Sequence, residues 1–192
     1  MSRFQGLEET AIVEANSVNS SLACDRMIDK TPARGAEASA KAHLQKHGIY
    51  GKSASVVSNI FRISNSIRSN AELNLLQNYN MSFTGFTALW VLWVWGDMET
   101  SRLAKETGVA KSTLTGIVKT LERGEYCKRR PHPSDGRRVV VEVTTKGRDL
   151  MQEIYPLFHQ LENEAVSQLG EADLDATKDA LRTILATVDG SE

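Results

Sequence analysis

The apolar period of this chain changes at Gly124, and that change limits the fold more than any other feature. Before it, Leu114, Ile117, Val118 and Leu121 recur at intervals of three and four, the stripe of an amphipathic helix. After it, Tyr126 opens a run that ends in Arg129-Arg130, and Val139-Val-Val-Glu-Val143 is β-rich. Pro131-His-Pro-Ser-Asp-Gly136 lies between the two runs as a turn cluster. The spacing therefore predicts a helix followed by a β-hairpin. Upstream, Leu103 and Ala104 mark the inner side of a shorter helix, which Thr100 can cap and Gly108 stops. The second helix is expected to start near Lys111 or Ser112. A helix, a tight turn with Ala104, Gly108 and Val109 at the join, and a second helix make a helix-turn-helix pattern. A hairpin attached to it is a wing.

Longer helices flank this unit. Val56, Ile60, Ile63 and Ile67 mark one face from Ser53 onward, on a segment whose other positions are rich in Ser and Asn. Ser82 to Trp95 reads as the next helix, ended by Gly96-Asp97. Thr144-Thr145 caps a long helix carrying Leu150, Ile154, Leu157, Leu161 and Leu169, in which Pro156 should produce a bend or mark a late start. A last helix, about Glu171 to Val188, offers Leu174, Leu181, Ile184, Leu185 and Val188, with acids in its first turn. These outer helices surround no single core and look like a dimer interface completed by a second copy. In residues 1–51, Leu7, Ala11, Ala15, Val18 and Leu22 suggest a first helix, Thr31-Pro32 interrupts it, and Ala33 to His47 reads as a second helix ended by Gly48. This extension is either an arm around a partner subunit or a loosely ordered segment. The expected fold is mainly α with a small β wing. The expected division is a 1–51 extension, a helical dimerisation region from 52–80 and 145–190, and a winged helix-turn-helix domain at 81–144.

Charge separates the function classes. The chain has 192 residues with 23 Lys+Arg against 24 Asp+Glu, a net of -1 that by itself suggests no polyanionic partner. The distribution says otherwise. Residues 102–148 hold 12 basic and 5 acidic side chains, and residues 149–192 hold 2 basic and 10 acidic. The apolar runs are shorter than the roughly 20 residues of a membrane span, and the N-terminus places acids where a signal peptide has an apolar stretch. Cys24 and Cys127 form no CxxC pair, which suits a reducing cytoplasm. His43, His47, His132 and His159 are expected to bind no metal. No nucleophile–base, phosphate-loop or paired-carboxylate constellation is present, so the chain is expected to be neither an enzyme nor cofactor-dependent.

The segment Ser82 to Leu150 resembles the MarR family of bacterial transcription regulators. The resemblance is carried by Leu103-Ala104…Gly108-Val109, Ser112-Thr113-Leu114-Thr115…Val118…Leu121-Glu122-Arg123-Gly124, Arg129-Arg130…Pro133-Ser134-Asp135-Gly136-Arg137-Arg138 and Val143-Thr144…Lys146-Gly147-Arg148…Leu150. With the long helices added it covers roughly residues 53–188. The resemblance implies a homodimer with interlocked outer helices, a recognition helix in the major groove of double-stranded DNA and a wing reaching the minor groove. It further implies a ligand cavity between the dimer helices and the winged domain.

Roles for single residues follow. Ser112, Thr113 and Thr115 on the second helix can hydrogen-bond base edges or phosphates, with Lys111 and Lys119 on phosphates. Ser112 could equally be a plain N-cap. Gly116 departs from the family, which commonly has Arg there, and a mid-helix Gly costs about 1 kcal/mol relative to Ala. Arg137 at the hairpin tip is expected in a narrow minor groove, oriented by a carboxylate–guanidinium pair with Asp135. Arg129 and Arg138 are expected to neutralise phosphate. Phe86, Trp90 and Trp93, at helical spacing with Phe83, suit either a core or the wall of a pocket for a small aromatic acid or its thioester, with Arg62 and Ser66 as polar anchors. The reading is a ligand-released repressor on a palindromic operator. Its alternatives are a cysteine redox-sensing regulator and a winged protein-interaction module without DNA binding.

Overall fold

A computed structural model describes residues 32–49 and 51–190. The expected helix over 7–22 and Cys24 lie outside the described residues. The remainder groups into one compact unit that ends at Asn65 and another that begins at Ser66. In the first, α1 spans Pro32–Lys46, with Gly48 following at φ +69. Pro sits in its first turn, where its missing N–H costs no hydrogen bond. Helix α2, Lys52–Asn74, begins in this unit and ends in the second.

The second unit continues through a 3₁₀ turn, Leu76–Tyr79, into α3, Phe83–Trp95. Ser82 caps α3 by accepting from the Gly85 N–H at 3.1 Å, and the Glu72 carboxylate accepts from the Phe83 N–H at 2.9 Å. Two of the four donors that a helix start leaves unpaired are thus satisfied. Then come β1 (Met98–Glu99), α4 (Thr100–Glu106), α5 (Lys111–Arg123), β2 (Cys127–His132), β3 (Asp135–Val143), α6 (Thr145–Val166) and α7 (Glu171–Asp189). The three strands form one antiparallel sheet in the order β1-β3-β2. The expected hairpin therefore gains a third strand. Met98 and Glu99 pair with Val141 and Val140, a contact too short to leave a period in the sequence.

The core lies between α3, α4, α5, the sheet and α6. Leu76, Leu89, Leu92, Leu103, Leu114, Val141, Met151 and Ile154 are fully buried in it. Where helix α6 meets the hairpin there is no room for a side chain. A Cβ at Gly147 would stand 2.1 Å from the Tyr126 carbonyl oxygen, and Thr144 caps α6 by accepting from the Gly147 N–H at 3.0 Å. Several expectations shift locally. Glu99, not Thr100, precedes α4, and no side chain caps that helix. Pro156 lies inside a continuous α6, which starts well before it. Pro131 belongs to β2, so the turn narrows to Pro133-Ser134 between paired His132 and Asp135. After α5, the left-handed residue is Glu125 at φ +63, while Gly124 is right-handed and lies under the Tyr126 ring, 2.5 Å from where a Cβ would be.

Candidate nucleic-acid interface

Helix α4, its turn and α5 are joined by backbone. Gly108 takes φ +66, and the Val109 N–H reaches back to the Ala104 carbonyl at 3.1 Å. The positive φ explains why glycine stops α4. Leu114, Val118 and Leu121 bury one stripe of α5. The 3.6-residue period then turns Lys111, Ser112, Thr113, Thr115 and Lys119 outward, and all five are exposed. Ala110 is the residue before the helix and no side chain caps it, so Ser112 is not an N-cap. The Thr115 hydroxyl donates to the Lys111 carbonyl at 2.9 Å, leaving its lone pairs outward as acceptors. Gly116 is exposed, and a Cβ there would meet nothing within 4 Å.

The wing corrects two expectations. Asp135 does not pair with the Arg137 guanidinium. Its Oδ1 accepts from the Arg137 backbone N–H at 3.0 Å, shaping the turn and leaving the Arg137 side chain exposed and without an ion pair. Arg129 and Arg138 are not free cations. Glu122 of α5 takes both the Arg129 side chain, with Nε at 2.9 Å and Nη2 at 2.6 Å, and the Arg129 backbone N–H at 3.0 Å. This contact holds the Glu122 carboxyl below the usual carboxylate range. Glu99 of β1 takes Arg138 through both fork nitrogens, with Nε at 2.8 Å. Arg130 reaches Asp97 and Glu142, both at 3.3 Å, and Glu142 also takes Lys128 at 3.2 Å. Four carboxylates thus occupy most of the basic wing, while Lys105, Lys111, Lys119 and Arg137 carry no ion pair among the described residues. Sequence reasoning missed these acids because they lie on other elements. Glu99 and Arg138 are 39 positions apart.

The aromatic residues divide. Phe86 is buried at 3% exposure against Phe158, ring centroids 4.7 Å apart, so it belongs to the core and not to a cavity wall. Trp90 lies against Trp95 at 5.6 Å and Trp93 against Tyr155 at 5.5 Å, both half-buried. Ser66 is exposed, and Arg62 belongs to the unit that ends at Asn65. Two clefts occur elsewhere. One of about 670 Å³ lies beneath the wing between Glu99, Lys105, Arg130 and Arg138. One of about 470 Å³ lies between Met81, Ser82 and Gly85 and the Thr113, Gly116, Thr120 side of α5. The thiol of Cys127 is 2% exposed and burial pushes it up to about 12, so it stays protonated and unreactive near neutrality. His43 and His47 stand one helical turn apart, with ring centroids at 4.9 Å. No third ligand joins them in a group of three among the described residues.

Residues 81–139 match the model of the MarR family. The chain is 32% identical over 130 residues to the HTH-type transcriptional regulator YwaE of Bacillus subtilis, covering 68% of this chain and 76% of that one. Among solved structures it is similar to the Staphylococcus aureus MepR–DNA complex, at 25% identity and TM-score 0.61 over 68% of this chain and 96% of that one. It also resembles BpsR of Bordetella bronchiseptica, whose DNA binding is regulated by 6-hydroxynicotinic acid. There the identity is 22% and the TM-score 0.62, over 68% and 98%. No described helix is long and apolar enough to cross a membrane. The chain belongs to the MarR family of winged helix-turn-helix transcriptional regulators.

Proposed function

We propose that the protein acts as a homodimeric repressor that leaves a palindromic operator when a small aromatic acid or its thioester binds. In this reading 81–144 reads DNA, and 52–80 with 145–190 forms the dimerisation region. The observation that carries it is the pairing pattern: Lys111 and Lys119 on α5 and Arg137 on the wing carry no ion pair among the described residues, whereas Lys128, Arg129, Arg130 and Arg138 are paired, and Ser112, Thr113 and Thr115 expose hydroxyls on α5. Free cations position a protein on phosphates, and short hydroxyl side chains at the start of the helix read base edges. Dimerisation is supported by α7, which buries nothing in one copy while Leu181, Leu185 and Val188 stand 45%, 60% and 77% exposed. An aromatic effector is supported by the half-buried Trp90 and Trp93, and by the effector of BpsR.

A gel shift on the promoter fragment beside the protein's own gene, at several salt concentrations, tests the reading. Arg137→Ala is expected to weaken binding and to lower the steepness of the salt dependence by about 0.9 per lost phosphate contact. Equal binding by both proteins across the titration would remove Arg137 from the interface. Tryptophan fluorescence titrated with 6-hydroxynicotinic acid and with aromatic thioesters tests the effector. Silence toward all of them sinks that part alone.

A further inference from the structure

We propose that Glu99 is an internal stand-in for a DNA phosphate: it holds the Arg138 guanidinium and so limits how strongly the wing grips DNA of any sequence. The proposal rests on the reading of the chain as a DNA-binding regulator. Glu99 is brought to Arg138 by the pairing of β1 with β3, where Glu99 lies opposite Val140. Both fork nitrogens of the arginine face its carboxylate. A planar guanidinium presents the same two donors to a phosphate as to a carboxylate, so the partners compete for one geometry.

The pair is placed for exchange. The Arg138 side chain is 50% exposed, and an ion pair in that setting is worth little in water. Replacing one anionic partner by another is therefore nearly balanced. The cleft beneath the wing opens beside the pair and is lined by Lys105, which has no ion pair among the described residues, and by Ser101. A phosphate approaching there meets the Arg138 fork already occupied by Glu99. His132 adds only a 3.8 Å approach to the same carboxylate. Sequential residues on a strand face opposite sides, so Arg137 and Arg138 divide the wing into a free cation and a held one. The held one bears on phosphate alone and carries no sequence information.

The test measures binding of the full chain to its promoter fragment and to a random duplex, across a salt series. Glu99→Gln is expected to tighten binding to both by the same factor, about threefold to tenfold at low salt, and to steepen the salt dependence by about 0.9, one further phosphate contact. Glu99→Asp, which keeps the charge but shortens the reach, should show part of the gain. Adding Arg138→Ala to Glu99→Gln should abolish it. A gain that survives in the double variant means that mere loss of a negative charge was responsible, and overturns the proposal. So does an unchanged slope in Glu99→Gln or Glu99→Asp at an unaltered melting temperature. A gain confined to the promoter fragment would assign Glu99 to base reading and also overturn it. A wild-type chain that binds neither duplex overturns the regulator reading, and this proposal with it.

Discussion

Helix α3 is apolar around most of its circumference and buries six residues, whereas α7 is apolar along one side and buries none. The difference lies in what each meets within one chain. Leu89 and Leu92 of α3 are 0% exposed in the core, whereas Leu185 of α7 is 60% exposed. Contiguous apolar surface of that kind marks an interaction site. One helix is finished by its own fold, and the proposed dimer would cover the other. Leu89→Ala should cost about 2–5 kcal/mol of stability, at any protein concentration, from lost burial and the cavity left behind. Leu185→Asp should leave the core intact and instead shift the species seen by sedimentation from dimer to monomer. It should also remove the concentration dependence of the melting temperature. If Leu185→Asp sediments as wild type, α7 is simply a bare helix and the contrast with α3 has no functional meaning.

The same contrast separates what could be read in the sequence from what could not. Helix α5 was legible because its period is local: Leu114, Val118 and Leu121 announce an inner stripe, and Lys111, Thr115 and Lys119 follow as its outside. Thr144 was legible as a cap because the atom it serves is three residues away. The in-chain partners of Arg129 and Arg138 are not legible, because they depend on tertiary register. Nothing near Arg138 in the chain points to Glu99, and β1 is only two residues long. The spacing of Phe86 fits core and pocket alike, because helical periodicity is the same for both. Phe158, 72 positions later, decides it. Counting charges finds the basic segment but overstates it as a surface, since four acids, on β1, α5, β3 and the connection before β1, meet most of the wing's arginines and lysines.

Cys127 is buried on β2 beside the Val118 carbonyl of α5, and burial raises its thiol to about 12. An unfolded cysteine ionises near pH 8.5. The folded state therefore holds its proton more tightly, and the stabilisation is complete below about pH 8.5 and lost as pH rises toward 12. The wild type should lose stability through this alkaline window more steeply than Cys127→Ala, measured by urea unfolding at each pH. Native protein at neutral pH should resist iodoacetamide at this position until it is unfolded. Prompt labelling of the native thiol would revive the redox-sensing alternative for Cys127.

The smallest effect tests an exposed position on the finished part. Gly116 sits mid-helix on α5, and a Cβ there meets nothing within 4 Å. Gly116→Ala therefore fills no cavity and breaks no contact. It acts through the helical backbone alone, where Ala is favoured over Gly by about 1 kcal/mol. The expected result is a rise in melting temperature of a few degrees, roughly 4–8 °C per kcal/mol for a unit near 100 residues and less for a larger one. Leu185→Ala on α7 should instead weaken self-association if the proposed dimer forms, because it subtracts apolar surface that the second copy would cover. A stabilising change at Gly116 that leaves promoter binding intact would show that the glycine is not needed for close approach to DNA. One that stabilises the fold and abolishes binding would place that bare stretch of helix directly against the duplex, where a single methyl group is too much.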